Sequence, residues 1–489
     1  MASDCLYKRL NPAHISLSGW NPKFKQANFD GVEIEKTKDK IIGERVVANA
    51  KLKQGRTILE EDPFIRQLND ANRTTHCTYC FTEFKKIKKL CRNKDCKWEV
   101  LYCSLNCQQQ HWLTEHKWFC RFPNLANTDK NVLFALQGYI ASRSKSEYTL
   151  PGLVSNIDSY KPEDLEEYRK KIGNSELSKV FHLTEGVIES MVVIMAQIRC
   201  NTFAVKQFVI SKTLEIEERE TITLGRAIYL TASKFNHSCN PNALVLFGTN
   251  NVGSHLKVHF IGDEAKKNAE INISYGPVST RHSKKQRKKK LKDEYFFDCN
   301  CSSCQLSYDP ITSIYKCQRC RKGRLSDIKS QCDYCDFDQN YLIIPKIERE
   351  IKTLKDKAYM TKDLKIYKEA LNYLLEIYHE NTLPIGQWWD DVGAMYVKNG
   401  QLYEASTCVK KSIEIVQIVF GNVSIEVAEE LCKLTGVLLE SYQTAECFQT
   451  AMSAISIFKI LGLDQSRPSD FQYLEDAVSF TRYSQTKSF

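Results

Sequence analysis

Apolar residues recur with helical spacing through the last third of this chain. Leu371, Leu374, Leu375 and Tyr378 stand at i, i+3, i+4 and i+7. Val409, Ile413, Val416 and Phe420 continue the period, and Val427, Leu431, Leu434 and Leu438 repeat it. The pattern predicts amphipathic helices over residues 340–480, each burying one stripe against its neighbours. The most apolar stretch, VVIMA at 192–196, is far too short to span a bilayer. Residues 235–243, FNHSCNPNA, have no apolar period at all. They read as half a metal site, a polar loop lining a pocket, or a turn between strands.

Composition narrows the choice. At 489 residues the chain should hold two to four units. Its 42% apolar and 26% charged content is globular. The opening MASDCLYKRL puts charges where a secretory signal needs an apolar core, so the chain reads as soluble and intracellular, cytoplasmic and nuclear. A net charge of +10 permits nucleic acid or acidic partners without requiring either. Twenty cysteines in a reducing compartment point to metal rather than disulfides.

The cysteine spacing carries most of the chemistry. From residue 77 the chain reads CTYC, CRNKDC, YCSLNC and HKWFC. The candidate ligands are Cys77, Cys80, Cys91, Cys96, Cys103, Cys107, His116 and Cys120, enough for two tetrahedral zinc sites. His111 is an alternative to His116, which pairs more closely with Cys120. The segment between the ligands is rich in Lys, Asn and Gln, so metal must supply much of its folding free energy, on the order of 10 kcal/mol per site. Downstream, FDCNCSSC offers Cys299, Cys301 and Cys304, one thiolate short of a zinc site. Cys239 of FNHSCNPNA completes it across about sixty residues of chain, leaving Asn236 and His237 as polar groups on a metal-anchored loop. Cys317, Cys320, Cys332 and Cys335 form a self-contained four-thiolate pattern with Gly323 in its loop, suited to a small zinc ribbon. Cys5, Cys200, Cys408, Cys432 and Cys447 have no ligand spacing. The last three fall in helical patterns and read as buried thiols.

The order C-x₂-C, C-x₄-C, C-x₃-C, H-x₃-C resembles a MYND zinc finger. That resemblance implies that the first and third pairs share one ion and the second and fourth the other. It also implies a module for proline-rich peptides rather than a DNA reader. FNHSCNPNA, EINISYGP at 270–277 and YFFDCNCSSC at 295–304 resemble a SET domain with its post-SET zinc. Together these motifs are similar to the SET-and-MYND (SMYD-type) lysine methyltransferase family over about residues 31–306. GERVVANAKLKQGRTILEEDPF at 43–64 resembles the first SET strands. IRCNTF at 198–203 resembles the strand bearing a cofactor-binding asparagine, here Asn201. YTLPGLVSN at 148–156 resembles the segment whose Tyr148 and Asn156 approach the cofactor. WDDVGAMYVKNGQLYEA, from Trp389 to Ala405, fits a tetratricopeptide (TPR) pattern with Val392 in the leucine position. It points to the TPR-coupled branch of the family. By resemblance the helical bundle folds over the SET cleft and limits substrate access.

The resemblance implies an α+β fold: a SET-domain β-fold with an inserted MYND finger, a post-SET zinc site, a zinc ribbon and a TPR-like all-helical C-terminal domain. The expected units are 1–76 (N-terminal segment and first SET strands), 77–120 (finger), 121–197 (helical insert), 198–280 (core SET), 281–310 (post-SET), 311–339 (ribbon) and 340–489 (TPR-like). The implied reaction is S-adenosylmethionine-dependent methyl transfer to the lysine of a protein or peptide, with three or four structural zinc ions and no metal in the chemistry. Tyr275 is the expected catalytic tyrosine and Tyr295 the wall of the lysine channel. Phe297 would stack on adenine, His237 would offer it its backbone, and Asn201 and Asn236 would bond the methionine end. Strand alternation would set Tyr295 and Phe297 on one face.

Two departures stand out. The cofactor turn is Gly43-Glu44-Arg45, so the Glu44 carboxylate faces the methionine end, where it either opposes that carboxylate or pairs with the α-amino group, with Arg45 offsetting its charge. Asn268-Ala269-Glu270 replaces the usual Gly-Glu-Glu. These departures leave open an adaptor that no longer catalyses and recruits partners through finger and helices. The basic run RHSKKQRKKKLK at 281–292 holds eight Lys or Arg. It is read as a solvated helix leading into the post-SET cysteines in preference to a nuclear signal or nucleic-acid patch, since no aromatics interleave it. A monomer is expected, with nucleic acid not the main partner and no membrane.

Overall fold

The computed structural model describes residues 27–486, except 38–42, 86–87, 144–147, 214–215, 249–252, 307, 310, 327–330, 339–342 and 362. Cys5 and the opening decapeptide lie outside the described residues.

Small sheets build the first half. One orders Asn28–Phe29, Thr57–Glu61, Leu256–Phe260 and Ala243–Phe247, all antiparallel. Val32–Lys36 pairs with Glu44–Ala48, and Ile65–Leu68, Ile216–Ile228 and Thr202–Thr213 form a third sheet. Along Leu256–Phe260 the alternate residues Leu256, Val258 and Phe260 are buried, the period-two signature of a strand with one core face. These faces meet in one core with Val46, Ile58, Leu59, Phe235 and Ile273. A second core forms where helix Lys130–Arg143 packs on helix Glu185–Asn201 around Phe134, Met191 and Ile194.

IRCNTF straddles an element boundary and is not wholly a strand. The helix runs through Asn201 and the strand starts at Thr202. The two side chains close the last turn: Asn201 Nδ2 donates to the Gln197 carbonyl at 2.8 Å and Thr202 Oγ1 to the Ile198 carbonyl at 2.6 Å. Asn201 therefore ends a helix.

The finger is seated on the first core. Phe81, with a left-handed φ of +61°, is fully buried in that core. The Cys80 carbonyl accepts the Ser254 N–H at 2.9 Å. Gly253 permits this approach, because a Cβ there would run into the Phe81 carbonyl oxygen.

From Ile343 the chain is helical: Ile343–Thr361, Leu364–Ile377, Leu383–Lys398, Leu402–Phe420, Ile425–Glu440, Thr444–Leu461 and Pro468–Thr486, with a short turn at Leu463–Ser466. Val427, Leu431, Leu434 and Leu438 all face one core, as their spacing requires. In the TPR-like stretch Val392, Tyr396 and Ala405 are buried, but the deeply buried tryptophan is Trp388, not Trp389. Trp388 lies one helical turn before Val392 and packs on Tyr367 with ring centroids 5.2 Å apart. Trp389 lies to one side beneath the Lys411 ammonium. The bundle meets the sheets through His259, whose Nδ1 lies 2.8 Å from the Ile460 carbonyl, and through Leu244. That carbonyl only accepts, so His259 Nδ1 carries the proton and Nε2 accepts from Thr57 Oγ1 at 3.1 Å. Among the described residues, no helix is long and apolar enough to cross a membrane.

Candidate active site and zinc clusters

Among the described residues, four groups of ligand atoms converge, each with its members within 4.8 Å of one another. They are Cys77, Cys80, Cys103 and Cys107; Cys91, Cys96, His116 and Cys120; Cys239, Cys299, Cys301 and Cys304; and Cys317, Cys320, Cys332 and Cys335. Thiolates about 2.3 Å from a tetrahedral ion stand about 3.8 Å apart. The Cys91–Cys120 separation is 3.8 Å, Cys239–Cys304 3.6 Å, and Cys317–Cys335 3.7 Å. The donor sets and spacings fit structural zinc. His116 Nε2 lies 3.3 Å from Cys96 Sγ within its cluster, whereas His111 stacks on the His116 ring and bonds Tyr102 through Nδ1 at 2.9 Å. At the ribbon, Gly323 is required because a Cβ would collide with Cys332 Sγ. Elemental analysis of purified protein should find four zinc per chain; three would remove the ribbon from the set and two would break the Cys239 closure.

The FNHSC loop is positioned by a buried carboxylate. Glu61 accepts the Thr231 N–H at 2.9 Å and the Ala232 N–H at 2.8 Å, holding the turn that precedes Phe235. Burial pushes the Glu61 pKa up, opposed by these donors. Asn236 and His237 then pair in parallel with Asn272 and Ile273, which lays FNHSC beside ISYGP. Asn242 fastens the two: its Oδ1 accepts the Asn272 N–H at 2.7 Å and its Nδ2 donates to the Glu270 carbonyl at 3.0 Å.

Four rings gather there. Tyr275 lies 4.9 Å from Tyr295 and 5.3 Å from His237 by centroid, and meets Phe297 edge-on at 6.4 Å. The Tyr275 hydroxyl donates to the Phe235 carbonyl at 2.8 Å, and the Tyr295 hydroxyl to the Tyr275 carbonyl at 3.1 Å. Burial raises both phenol pKa values, that of Tyr295 to about 12. His237 Nδ1 accepts the Tyr275 N–H at 3.0 Å, so Nε2 carries the proton and points it at Cys239 Sγ, 3.4 Å away. The imidazole thus links the tyrosine backbone to the zinc thiolate, a side-chain connection that the sequence did not suggest.

Tyr295 and Phe297 do not share a strand. Tyr295 ends the helix Lys284–Tyr295, and Phe296 caps it with a left-handed φ of 64°. That cap turns the chain so that its two neighbours both reach Tyr275. The Phe296 ring packs on Tyr160 at 4.8 Å, and the Arg199 guanidinium covers both rings. Arg287, within the basic run, is fully buried. Its charge lies against the Cys239 and Cys304 thiolates, where it offsets the net negative charge of a zinc–tetrathiolate centre.

Arg45 does not offset Glu44, because it pairs with Glu35 at 2.8 Å and Glu270 at 3.9 Å. The Glu44 carboxylate is held by Lys234 at 2.5 Å, an ammonium that also bonds the Gly152 carbonyl. Lys234 directly precedes FNHSC, the one signal by which it was findable. Asn236 Nδ2 donates to the Glu44 carbonyl at 3.3 Å and to Glu270 Oε1 at 3.0 Å. Asn201 Nδ2 donates to the Val154 carbonyl at 2.8 Å. Asn156 Nδ2 stands 3.5 Å from the Tyr295 carbonyl and from Cys200 Sγ, which brings that thiol to the cage. Tyr148 is exposed, with the Arg143 guanidinium 4.6 Å above its ring, and makes none of these contacts. Gly43, at φ +64°, has open space where a Cβ would stand. The side-chain amides of Asn201 and Asn236 and the half-buried Phe297 ring are of the chemical types that would hold an amino-acid-bearing nucleoside such as S-adenosylmethionine.

No protein-family model matches the chain. Human N-lysine methyltransferase SMYD2 is 29% identical over 246 residues, covering 47% of this chain and 51% of that protein. Histone-lysine N-methyltransferase ASHR1 of Arabidopsis thaliana is 24% identical over 370 residues, 68% of this chain and 71% of that protein. Human histone-lysine N-methyltransferase SMYD3 is 25% identical over 298 residues, 57% and 62%. The chain spans about half the length of the first of these relatives. With the zinc clusters and the mixed strand-and-helix architecture, the chain is similar to the SET-and-MYND (SMYD-type) lysine methyltransferases.

Proposed function

We propose that this protein is an S-adenosylmethionine-dependent protein-lysine N-methyltransferase acting on a histone or non-histone substrate. The observation that carries the reading is the ring cage of Tyr275, Tyr295, Phe297 and His237, built directly beside the FNHSC loop and closed by the Cys239 cluster. In this reading Asn201, Asn236 and the Gly43–Glu44 turn hold the methionine end, Phe297 and the His237 backbone hold adenine, and Asn156 flanks them. Tyr148 belongs to the same set by motif alone. We also propose the unit boundaries given above, with the finger at 77–120 and the helical domain from 340.

When bound, the cofactor supplies a methyl group activated on a sulfonium. The chain's own residues prepare the amine. Aromatic walls at Tyr275 and Tyr295 strip water from the lysine ammonium, which lowers its pKa and favours loss of the proton that masks the lone pair. Tyr275 remains a neutral phenol, because burial raises its pKa. With its proton donated to the Phe235 carbonyl, its oxygen lone pairs are left to orient the amine. Tyr295 holds the Tyr275 backbone in place, and the remaining gain comes from alignment. Zinc is structural throughout. The Lys234–Glu44 pair removes the charge objection that favoured an inactive adaptor. We further propose that the finger, which exposes Leu90, Leu105 and Leu113, takes proline-rich peptides, and that the protein works as a monomer in cytoplasm and nucleus.

Calorimetric titration with S-adenosylmethionine tests the reading. Wild type should bind, and Asn236→Ala should bind about tenfold more weakly while retaining its zinc, the loss expected when one half-buried hydrogen-bonding amide goes. No binding by wild type at about millimolar cofactor, a free energy near −4 kcal/mol, would sink it.

A further inference from the structure

The helix Lys284–Tyr295 carries a cationic stripe that the cage does not use. At 100° per residue, Lys285, Lys288, Lys289 and Lys292 occupy about a 100° arc, and all four are exposed. Arg287 and Leu291, the residues that anchor the helix, are buried on its other side. The other charges on and around the helix are engaged or lie off the arc. Arg281 pairs with Glu426 and Lys292 with Asp298, while Asp293 and Glu294 fall outside it. No ion pair of Lys285, Lys288 or Lys289 is formed among the described residues. The same helix ends in Tyr295, a wall of the cage.

We propose that this stripe docks an acidic segment of the protein substrate, a few residues from the lysine that enters the cage. The inference rests on the methyltransferase reading and adds the substrate class. Lys292 to Lys285 lie about 5–15 Å from Tyr295 along the axis, a distance an extended peptide covers in about two to five residues. One polypeptide therefore reaches both places. A nucleic-acid strand is disfavoured because no exposed large aromatic lies on this helix to stack a base.

The test uses two labelled peptides, each with one lysine followed at its third to sixth positions by either glutamates or glutamines. Fluorescence anisotropy at low salt should show the acidic peptide binding about tenfold tighter, the sum of three or four exposed charge pairs. Lys285→Gln/Lys288→Gln/Lys289→Gln should erase that preference, and the neutral peptide should bind wild type and variant alike. Methyl transfer to the same peptides reads the enzyme assignment separately: a charge preference without transfer keeps the docking surface and removes the enzyme reading. The proposal is overturned if wild type shows no preference, if the triple variant keeps it, or if a single-stranded oligonucleotide displaces the acidic peptide at equal concentration.

Discussion

Replacing Cys239 with serine is expected to lower zinc content from four to three per chain and to abolish cofactor binding in the same step. Cys239 is fully buried and stands 3.9 Å from Cys299 and 3.6 Å from Cys304. It is the only ligand of its cluster that lies on the FNHSC loop. A structural zinc site contributes on the order of 10 kcal/mol, more than enough to order two segments that share little apolar surface. Without it, the His237 Nε2–H loses its thiolate partner and the helix end bearing Tyr295 and Phe297 loses its metal link to the FNHSC loop, keeping only the Tyr295 hydroxyl bond and ring contacts to Tyr275. Arg287 would also be left as an uncompensated buried cation, a cost of several kcal/mol. Elemental analysis and calorimetry on one preparation read both effects. Full zinc content in Cys239→Ser would show that the loop is not metal-anchored. Asn236→Ala is the contrast, since Asn236 sits on the same loop and is no ligand.

Tyr275→Phe is expected to reduce turnover by about 10²-fold or more, the range for a positioned group acting on a transferring proton or amine. The fold should survive. The hydroxyl bonds the Phe235 carbonyl at 2.8 Å, and losing one such bond costs about 1 kcal/mol. The backbone N–H that holds His237 is untouched by the substitution. Cofactor affinity should stay near wild type, so the loss appears in the methyl-transfer step. Mass-spectrometric detection of methylation on a peptide array, wild type against variant, measures it and identifies substrates as well. Wild-type turnover in Tyr275→Phe would remove Tyr275 from the chemistry.

The ion pairs around Gly43-Glu44-Arg45 are not the ones that sequence adjacency suggests. Arg45 was the adjacent cation, yet on a strand it points along the sheet to Glu35, its cross-strand partner in the register Glu35–Arg45. Lys234 is nearly two hundred residues away in sequence and closes on Glu44 only because the Glu61-capped turn brings it there. The basic run forms the largely solvated helix that its sequence suggests, with one exception. Its helix was legible, but the burial of Arg287 was not, because nothing in a lysine-rich dodecapeptide singles out the one cation that faces a thiolate cluster.

Ligand spacing is a local property. The chain alone therefore determined the zinc clusters whose pairs lie close in sequence, the amphipathic helices of the last third, and the motifs that name the cage residues. Tetrahedral sulfur chemistry leaves few alternatives once two cysteines stand two residues apart. Contacts between distant segments were decided by the tertiary structure. They include which cation neutralises Glu44 and how Tyr295 and Phe297 come to face Tyr275. In that last case strand alternation was expected, and a left-handed residue at a helix end does the work instead. Such a conformation is stabilised by the packing of Phe296 between Tyr160 and Arg199, and packing of that kind has no signature in the local sequence.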